Sequence, residues 1–207
     1  MLTAGVDVAR GGKDNTVFAA KHAAPELGHG LWFDKPKVMP GSQTPDGATV
    51  AGLVVANLRD SAPIAIDVIG VGASPYDVLR GMRFQIQGVN VSEAPTSVDH
   101  TGRLLFFNLR TQLWWRMREA LDPQRDTGIC LPPDPQLLRE LCAPRWSVSG
   151  KTVKVESRED IIKRIGKSPD LASAYILALT DVPKLSVLQA ARGQTDVLNY
   201  DPMGYRE

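Results

Sequence analysis

The chain has 207 residues, 43% of them hydrophobic and 23% charged, with a net charge of +1, which suffices for one domain with a full core and is an ordinary balance for a folded chain. So neutral a composition carries no global basic signature, and any nucleic-acid contact has to come from a local patch. No apolar run approaches the roughly 20 residues that span a bilayer, and no basic segment followed by an apolar one opens the chain, so neither a membrane nor secretion is expected; the two cysteines, Cys130 and Cys142, read as small hydrophobes of a reducing compartment.

In chain order, residues 2–9 read as a buried strand holding one carboxylate, Asp7, among small and apolar neighbours. Gly11, Gly12, Lys13 and Asp14 are turn chemistry. Strands are expected over 15–24 and over 31–38, the second near an edge because it contains Pro36. Joined by a turn over 25–30, the first three strands should form an antiparallel meander. Residues 49–59 have helical spacing through Val50, Leu53, Val54 and Leu58. Residues 64–69 form a short apolar strand ending at Gly70, Val71 and Gly72, placed parallel to the first strand by a right-handed crossover.

Ser74 caps the next expected helix, 75–82, with Pro75 at its first position, and a strand follows over 86–91. A polar loop leads to the longest helix, 103–121, with Phe106, Phe107, Leu113, Trp114, Met117 and Leu121 inward; Trp114 and Trp115 read as core plus one exposed ring. Residues 129–135 read as irregular and 136–142 as a short helix. Residues 145–149 and 151–156 alternate around Gly150, a β-hairpin. Ser157 then caps a helix over 157–165 that Gly166 ends. Ser168 and Pro169 open a last helix that contains Asp170. The chain thus divides into a domain over 1–182 and a polar tail over 183–207. The class is α/β: a mixed five-stranded sheet, an antiparallel meander plus parallel strands, flanked by helices, with an extra β-hairpin.

Three aspartates stand at telling positions: Asp7 within a strand, Asp67 at a strand end and Asp170 at a helix start. A buried aspartate is unfavourable unless its charge is compensated. Divalent cations shared with Asp67 and Asp170 would compensate it. Hydrolysis of a phosphodiester needs an activated water and a stabilised leaving oxygen, which two ions about 3.5–4 Å apart supply together. Hard oxygen donors suit Mg²⁺ and Mn²⁺, and Asp7 is the candidate to bridge both ions. Taken singly, Asp67 could be a turn residue and Asp170 a first-turn residue favoured by the helix dipole.

Several stretches carry a resemblance: residues 7–14, residues 67–73, Asn108-Leu109-Arg110, residues 156–160 and residues 167–172. Together and in this order they resemble the nuclease domain of tailed-phage large terminases, over about residues 3–180. The resemblance implies an RNase H-like fold and a metal-dependent endonuclease that cuts concatemeric double-stranded DNA during packaging. By motif it makes Asp7, Asp67 and Asp170 the catalytic metal ligands for two Mg²⁺ or Mn²⁺ ions. Many relatives have an aspartate where this chain has Ser173, so a fourth acidic ligand is not expected. The resemblance further implies as partners an ATPase domain, expected outside this chain, a portal protein and a small terminase subunit, with the host cytoplasm as location. Gly150-Lys151-Thr152 lacks the earlier glycine of a phosphate loop, Arg145 standing there, and reads as hairpin.

Among the basic residues, Arg10 and Lys13 after the first strand, and Arg145, Lys151 and Lys154 on the hairpin, are candidate DNA-backbone contacts. Lys163, Arg164 and Lys167 are candidates to neutralise the scissile phosphate. Arg103, Arg110, Arg116 and Arg118 read as surface charge, Glu156, Glu159 and Asp160 as capping residues or, alternatively, as outer acids or hydrogen-bond partners of the metal site, and His22, His29 and His100 as isolated. Rival readings are another RNase H-like nuclease such as a junction resolvase, one lobe of an actin-like or sugar-kinase-type ATPase, and a non-catalytic binding module.

Overall fold

The structure, a computed structural model, describes residues 1–11, 13–24, 29–125 and 127–180. The tail expected over 183–207, Gly12 of the first turn and most of the turn over 25–30 lie outside the described residues. Strand β1 (Thr3–Asp7) is buried throughout and lies inside a mixed sheet. On one side it pairs antiparallel with β2 (Asn15–Ala24). On the other it pairs parallel with β5 (Ile64–Asp67), which in turn pairs parallel with β6 (Ile86–Val89).

The strand expected over 31–38 is two strands, β3 (His29–Phe33) and β4 (Lys37–Pro40). Both run antiparallel to β2, one against its second half and one against its first. Pro36, between them, has no N–H to give to the ladder. A further short strand, β8 (Ile129–Cys130), pairs parallel with β3 where irregular chain was expected. Among the described residues the sheet therefore has seven strands, not five, in the order β6-β5-β1-β2-β3-β8 with β4 beside β2.

Side chains alternate across this sheet. Ala4, Val6, Ile64 and Ile66 face α1 (Gly47–Asn57) and α2 (Ala73–Gly81), packing against Val50, Val54 and Leu79. Gly5, Ala65 and the two strand-end aspartates belong to the other face, which α6 (Asp170–Leu179) covers with α3 (Leu109–Ala120) and α4 (Pro135–Leu141). Gly5 permits the close approach of α6: a Cβ there would lie 2.1 Å from the Ala174 carbonyl oxygen and 2.3 Å from the Ala178 nitrogen. Helix α6 presses on β1 at that point, and its first residue is Asp170.

At three helices the start is secured differently from expectation. Helix α2 begins at Ala73 with no side-chain cap, so Ser74 lies inside it. Helix α3 begins at Leu109, capped by Asn108, whose side chain accepts from the Thr111 N–H. The residues before it form β7 (Leu105–Phe106), which pairs parallel with β10 (Thr152–Val155) of the hairpin and so completes a three-stranded sheet with β9 (Trp146–Ser149). Phe106 is buried and Phe107 exposed, and both Trp114 and Trp115 are core. At α6 the first-turn N–H groups of Leu171 and Ala172 go to Glu140 Oε2, at 2.8 and 3.2 Å, rather than to Ser168. Helix α5 (Arg158–Ile165) starts and stops as expected, capped by Ser157 and ended by Gly166 in the left-handed conformation.

Candidate metal centre

The register Ala4↔Ile64, Gly5↔Ala65, Val6↔Ile66, carried one residue further, sets Asp7 opposite Asp67. Side-chain alternation turns both toward α6. The start of α6 brings Asp170 to the same end of the sheet. The chain leaving β1 is pinned there: Thr16 Oγ1 and Thr44 Oγ1 donate to the Ala9 carbonyl at 3.0 and 2.9 Å, and the Ala9 N–H donates to Thr16 Oγ1 at 3.1 Å.

Asp7 is 3% exposed and Asp170 1% exposed. Asp7 Oδ2 is buried with no hydrogen-bond partner. Asp67 Oδ1 accepts the Ile69 N–H at 2.9 Å, the turn contact open to it as an alternative, and the residue also lines a cleft. Asp170 Oδ2 accepts the Asn15 N–H at 2.9 Å. Burial pushes the Asp7 carboxyl up to about 8; Arg158 opposes that rise, while Asp170, Asp67 and Asp14 reinforce it. Burial likewise raises Asp67 and Asp170 above the ordinary carboxylate range.

The cleft has a volume of about 430 Å³ and is lined by Asp7, Asp67, Arg110, Ser157, Arg158, Glu159 and Ser173, with Trp114, Ile176 and Leu177 as an apolar wall. Asp170 is not in the lining; Arg158, which is, holds its Oδ1 at 3.1 Å. Arg158 also lies 3.7 Å from Asp7 Oδ1 and 3.4 Å from Asp14 Oδ2. The three aspartates are not among the groups whose oxygens all come within 4.8 Å of one another. That spacing is a single ion's; a bridged pair of ions about 3.5–4 Å apart sets its outer ligands farther apart.

Two residues of the cleft were missed by sequence. Arg110 is no surface charge: its Nε donates to the Glu156 carbonyl at 3.3 Å, its guanidinium lies 5.5 Å from the Trp114 ring centroid, and its Nη2 is buried without a partner. Burial and the neighbouring Arg158 lower its affinity for its proton. Arg158 was missed because Asp14, one of its partners, is 144 residues away in sequence. The local hints were its place at the first position of a capped helix and within residues 156–160, which carry the resemblance.

The expected phosphate neutralisers lie elsewhere. Lys163 pairs with Asp160 at 3.6 Å, Arg164 with Glu156, and Lys167 with Glu140 at 3.7 Å; none lines the cleft. Arg10, Lys13, Arg145, Lys151 and Lys154 are exposed. The Arg10 Nε donates to the Pro45 carbonyl at 2.8 Å, and Lys154 lies 4.7 Å from the Phe107 ring centroid. His22 and His100 are not isolated: His22 is 3.1 Å from Asp34, and His100 Nδ1 is 2.8 Å from Glu119. Asp99, His100 and Glu119 do bring ligand atoms within 4.8 Å of one another. Each is engaged within the protein, however. Asp99 accepts from the N–H groups of Thr101, Arg103 and Leu104, and Glu119 also pairs with Arg125 at 3.2 Å.

No protein-family model matches the sequence, and no curated protein matches it. Solved structures do. The nuclease domain of the large terminase subunit gp2 of bacterial virus Sf6 is 16% identical, with a TM-score of 0.65 over 88% of this chain and 88% of that one. A variant of that domain with calcium gives 0.63 at 16% identity, over 86% and 88%. The large terminase nuclease of thermophilic phage G20c with bound magnesium gives 0.53 at 16% identity, over 86% and 79%. The mixed sheet of parallel and antiparallel strands flanked by helices is the RNase H-like fold of the phage large-terminase nuclease domains.

Proposed function

We propose that this chain is the metal-dependent endonuclease domain of a viral DNA-packaging terminase, with residues 1–182 as the nuclease unit and Asp7, Asp67 and Asp170 as its catalytic metal ligands. The observation that carries the reading is Asp7 Oδ2, a buried carboxylate oxygen without a partner beside two further carboxylates at the edge of a cleft. Folding has left this oxygen without a hydrogen-bond partner, while Arg158 approaches the other oxygen of the same carboxylate, Oδ1, at 3.7 Å. The donor set is all carboxylate, which fits Mg²⁺ or Mn²⁺. Asp7, Asp67 and Asp170 would hold them. Two such ions, when bound, supply an activated water and a stabilised leaving oxygen.

The chain's own residues do the rest. Arg110 offers an idle, buried Nη2 to a phosphate entering the cleft. Trp114, Ile176 and Leu177 keep bulk water from one side, which strengthens every charge interaction within. Arg10, Lys13 and the hairpin residues Arg145, Lys151 and Lys154 are exposed to meet the backbone of double-stranded DNA, with Lys163 and Lys167 farther out. Each phosphate contact adds about 0.9 to the salt slope of binding. A terminase ATPase, a portal protein and a small terminase subunit are the partners this reading calls for, in the host cytoplasm. Among the described residues no helix is long and apolar enough to cross a membrane.

The test is the full chain with supercoiled plasmid and Mg²⁺ or Mn²⁺, beside Asp7→Ala. Metal-dependent nicking that the substitution abolishes supports the reading. Nucleotide hydrolysis without DNA cleavage would replace it with the kinase-like lobe, and neither activity would leave a binding module.

A further inference from the structure

Arg158 is the first residue of α5, directly after the Ser157 cap, and its guanidinium spans three carboxylates. Nη2 lies 3.1 Å from Asp170 Oδ1 and 3.4 Å from Asp14 Oδ2, and Nη1 lies 3.7 Å from Asp7 Oδ1. These come from α6, the turn before β2 and the end of β1. The Arg158 side chain is 31% exposed and lines the cleft, so it is not walled into this position. The other cleft arginine, Arg110, has one buried nitrogen without a partner. Two guanidinium groups therefore face one cleft, Arg158 close enough to disfavour the charge on Arg110, and Arg110 has an idle donor. An anion between them would relieve the repulsion and use the donor.

The oxygens Arg158 holds are those that a divalent cation would need. A guanidinium directs N–H donors onto the carboxylate lone pairs and carries a positive charge, so it competes with a bound cation for them. Lys163, Arg164 and Lys167 have other acidic partners, which leaves Arg158 as the described cation bridging Asp7 and Asp170.

We propose that Arg158 is an exchangeable counter-ion, holding Asp7, Asp14 and Asp170 together in the metal-free protein and moving onto a DNA phosphate beside Arg110 once divalent cations bind. It thereby couples metal loading to substrate capture. This rests on the metal-dependent reading above.

Three measurements on the full chain test it. Calorimetry with Mn²⁺ in the absence of DNA is expected to give at least tenfold tighter binding for Arg158→Gln than for the wild type. Arg158→Lys, which keeps the charge without the fork, should fall between the two. Binding of a short duplex in Ca²⁺ should weaken about tenfold in Arg158→Gln. In ¹⁵N NMR of the wild type, the Arg158 Nε–H signal should leave its metal-free position on saturation with Ca²⁺, and shift again when duplex is added. Mn²⁺ affinity that is unchanged or weaker in Arg158→Gln, or an Arg158 signal unmoved by saturating Ca²⁺, overturns the proposal while the nuclease reading stands. A wild type that binds neither Mn²⁺ nor Ca²⁺ overturns both. The NMR experiment uses the unsubstituted protein and does not depend on any variant folding.

Discussion

Asp7 is the residue in which fold and chemistry conflict most. Its ordinary value is 3.8, and burial pushes it up to about 8. The folded chain therefore keeps this proton up to about pH 8, whereas the unfolded chain releases it near pH 4. Between those limits the folded state binds more protons than the unfolded one, so stability falls as pH rises. Asp67 and Asp170 are displaced in the same direction. Asp99 and Glu156 are displaced the other way, to about 2 by local hydrogen bonds and by Arg164 respectively, so their contribution is lost only below about pH 4. In the presence of a chelator, the melting temperature should fall from pH 5 to pH 8. Asp7→Asn should flatten that profile and raise the midpoint at pH 8, each pH unit of displacement being worth about 1.4 kcal/mol. A wild-type profile that is level or rises over this range would refute the assignment. The same residue should be indispensable for cleavage, so Asp7→Asn gains stability and loses activity.

At the scale of elements, what decides the site is how α6 meets the sheet. Gly5 allows the contact and Glu140 anchors the helix start. A Cβ at position 5 would lie 2.1 Å from a backbone oxygen of α6, where no flexible side-chain end can give way. Gly5→Ala should therefore destabilise by about 3 kcal/mol or more and weaken Mn²⁺ binding, because displacing α6 displaces Asp170. A Gly5→Ala protein with wild-type denaturant midpoint and metal affinity would contradict the packing described. Glu140→Ala removes the acceptor of two buried N–H groups and should cost about 2 kcal/mol in denaturant unfolding. The elements legible in sequence were those specified locally. β1 and β5 read as short buried strands set side by side by a right-handed crossover, and the Ser157 cap and Gly166 stop fixed α5. Those missed depend on distant partners. Residues 103–108 have helical neighbours, but β7 forms because Phe106 pairs with Val153 and packs with Trp115. Ser168 has the look of a cap, yet the acceptor for α6 comes from Glu140, 31 residues earlier. The roles of the cleft arginines were hidden for the same reason: Arg110 and Arg158 lie in stretches that carry the resemblance, but the groups they contact come from elements distant in sequence.

At the scale of the whole molecule, the centre is assembled from segments at both ends of the domain, so it exists only when the sheet and α6 are both formed. Cations that bind this centre bind the folded state and not the unfolded one, and must stabilise the entire domain. An ion at one hundred times its dissociation constant adds about 2.7 kcal/mol. A domain of this size then gains roughly 5–10 °C in melting temperature. The gain should be larger at pH 8 than at pH 6. At pH 6 a cation has to displace the proton that Asp7 retains, and at pH 8 about half of that proton has already left. Thermal unfolding with Mg²⁺, with Mn²⁺ and with chelator at the two pH values checks this, beside a triple substitution of Asp7, Asp67 and Asp170 to asparagine. Wild-type stabilisation that is absent in the triple variant locates the ions at these carboxylates. Equal stabilisation in both proteins would move them elsewhere, and the Asp99, His100 and Glu119 group would be the first place to look, since its ligand atoms already lie within one ion's reach.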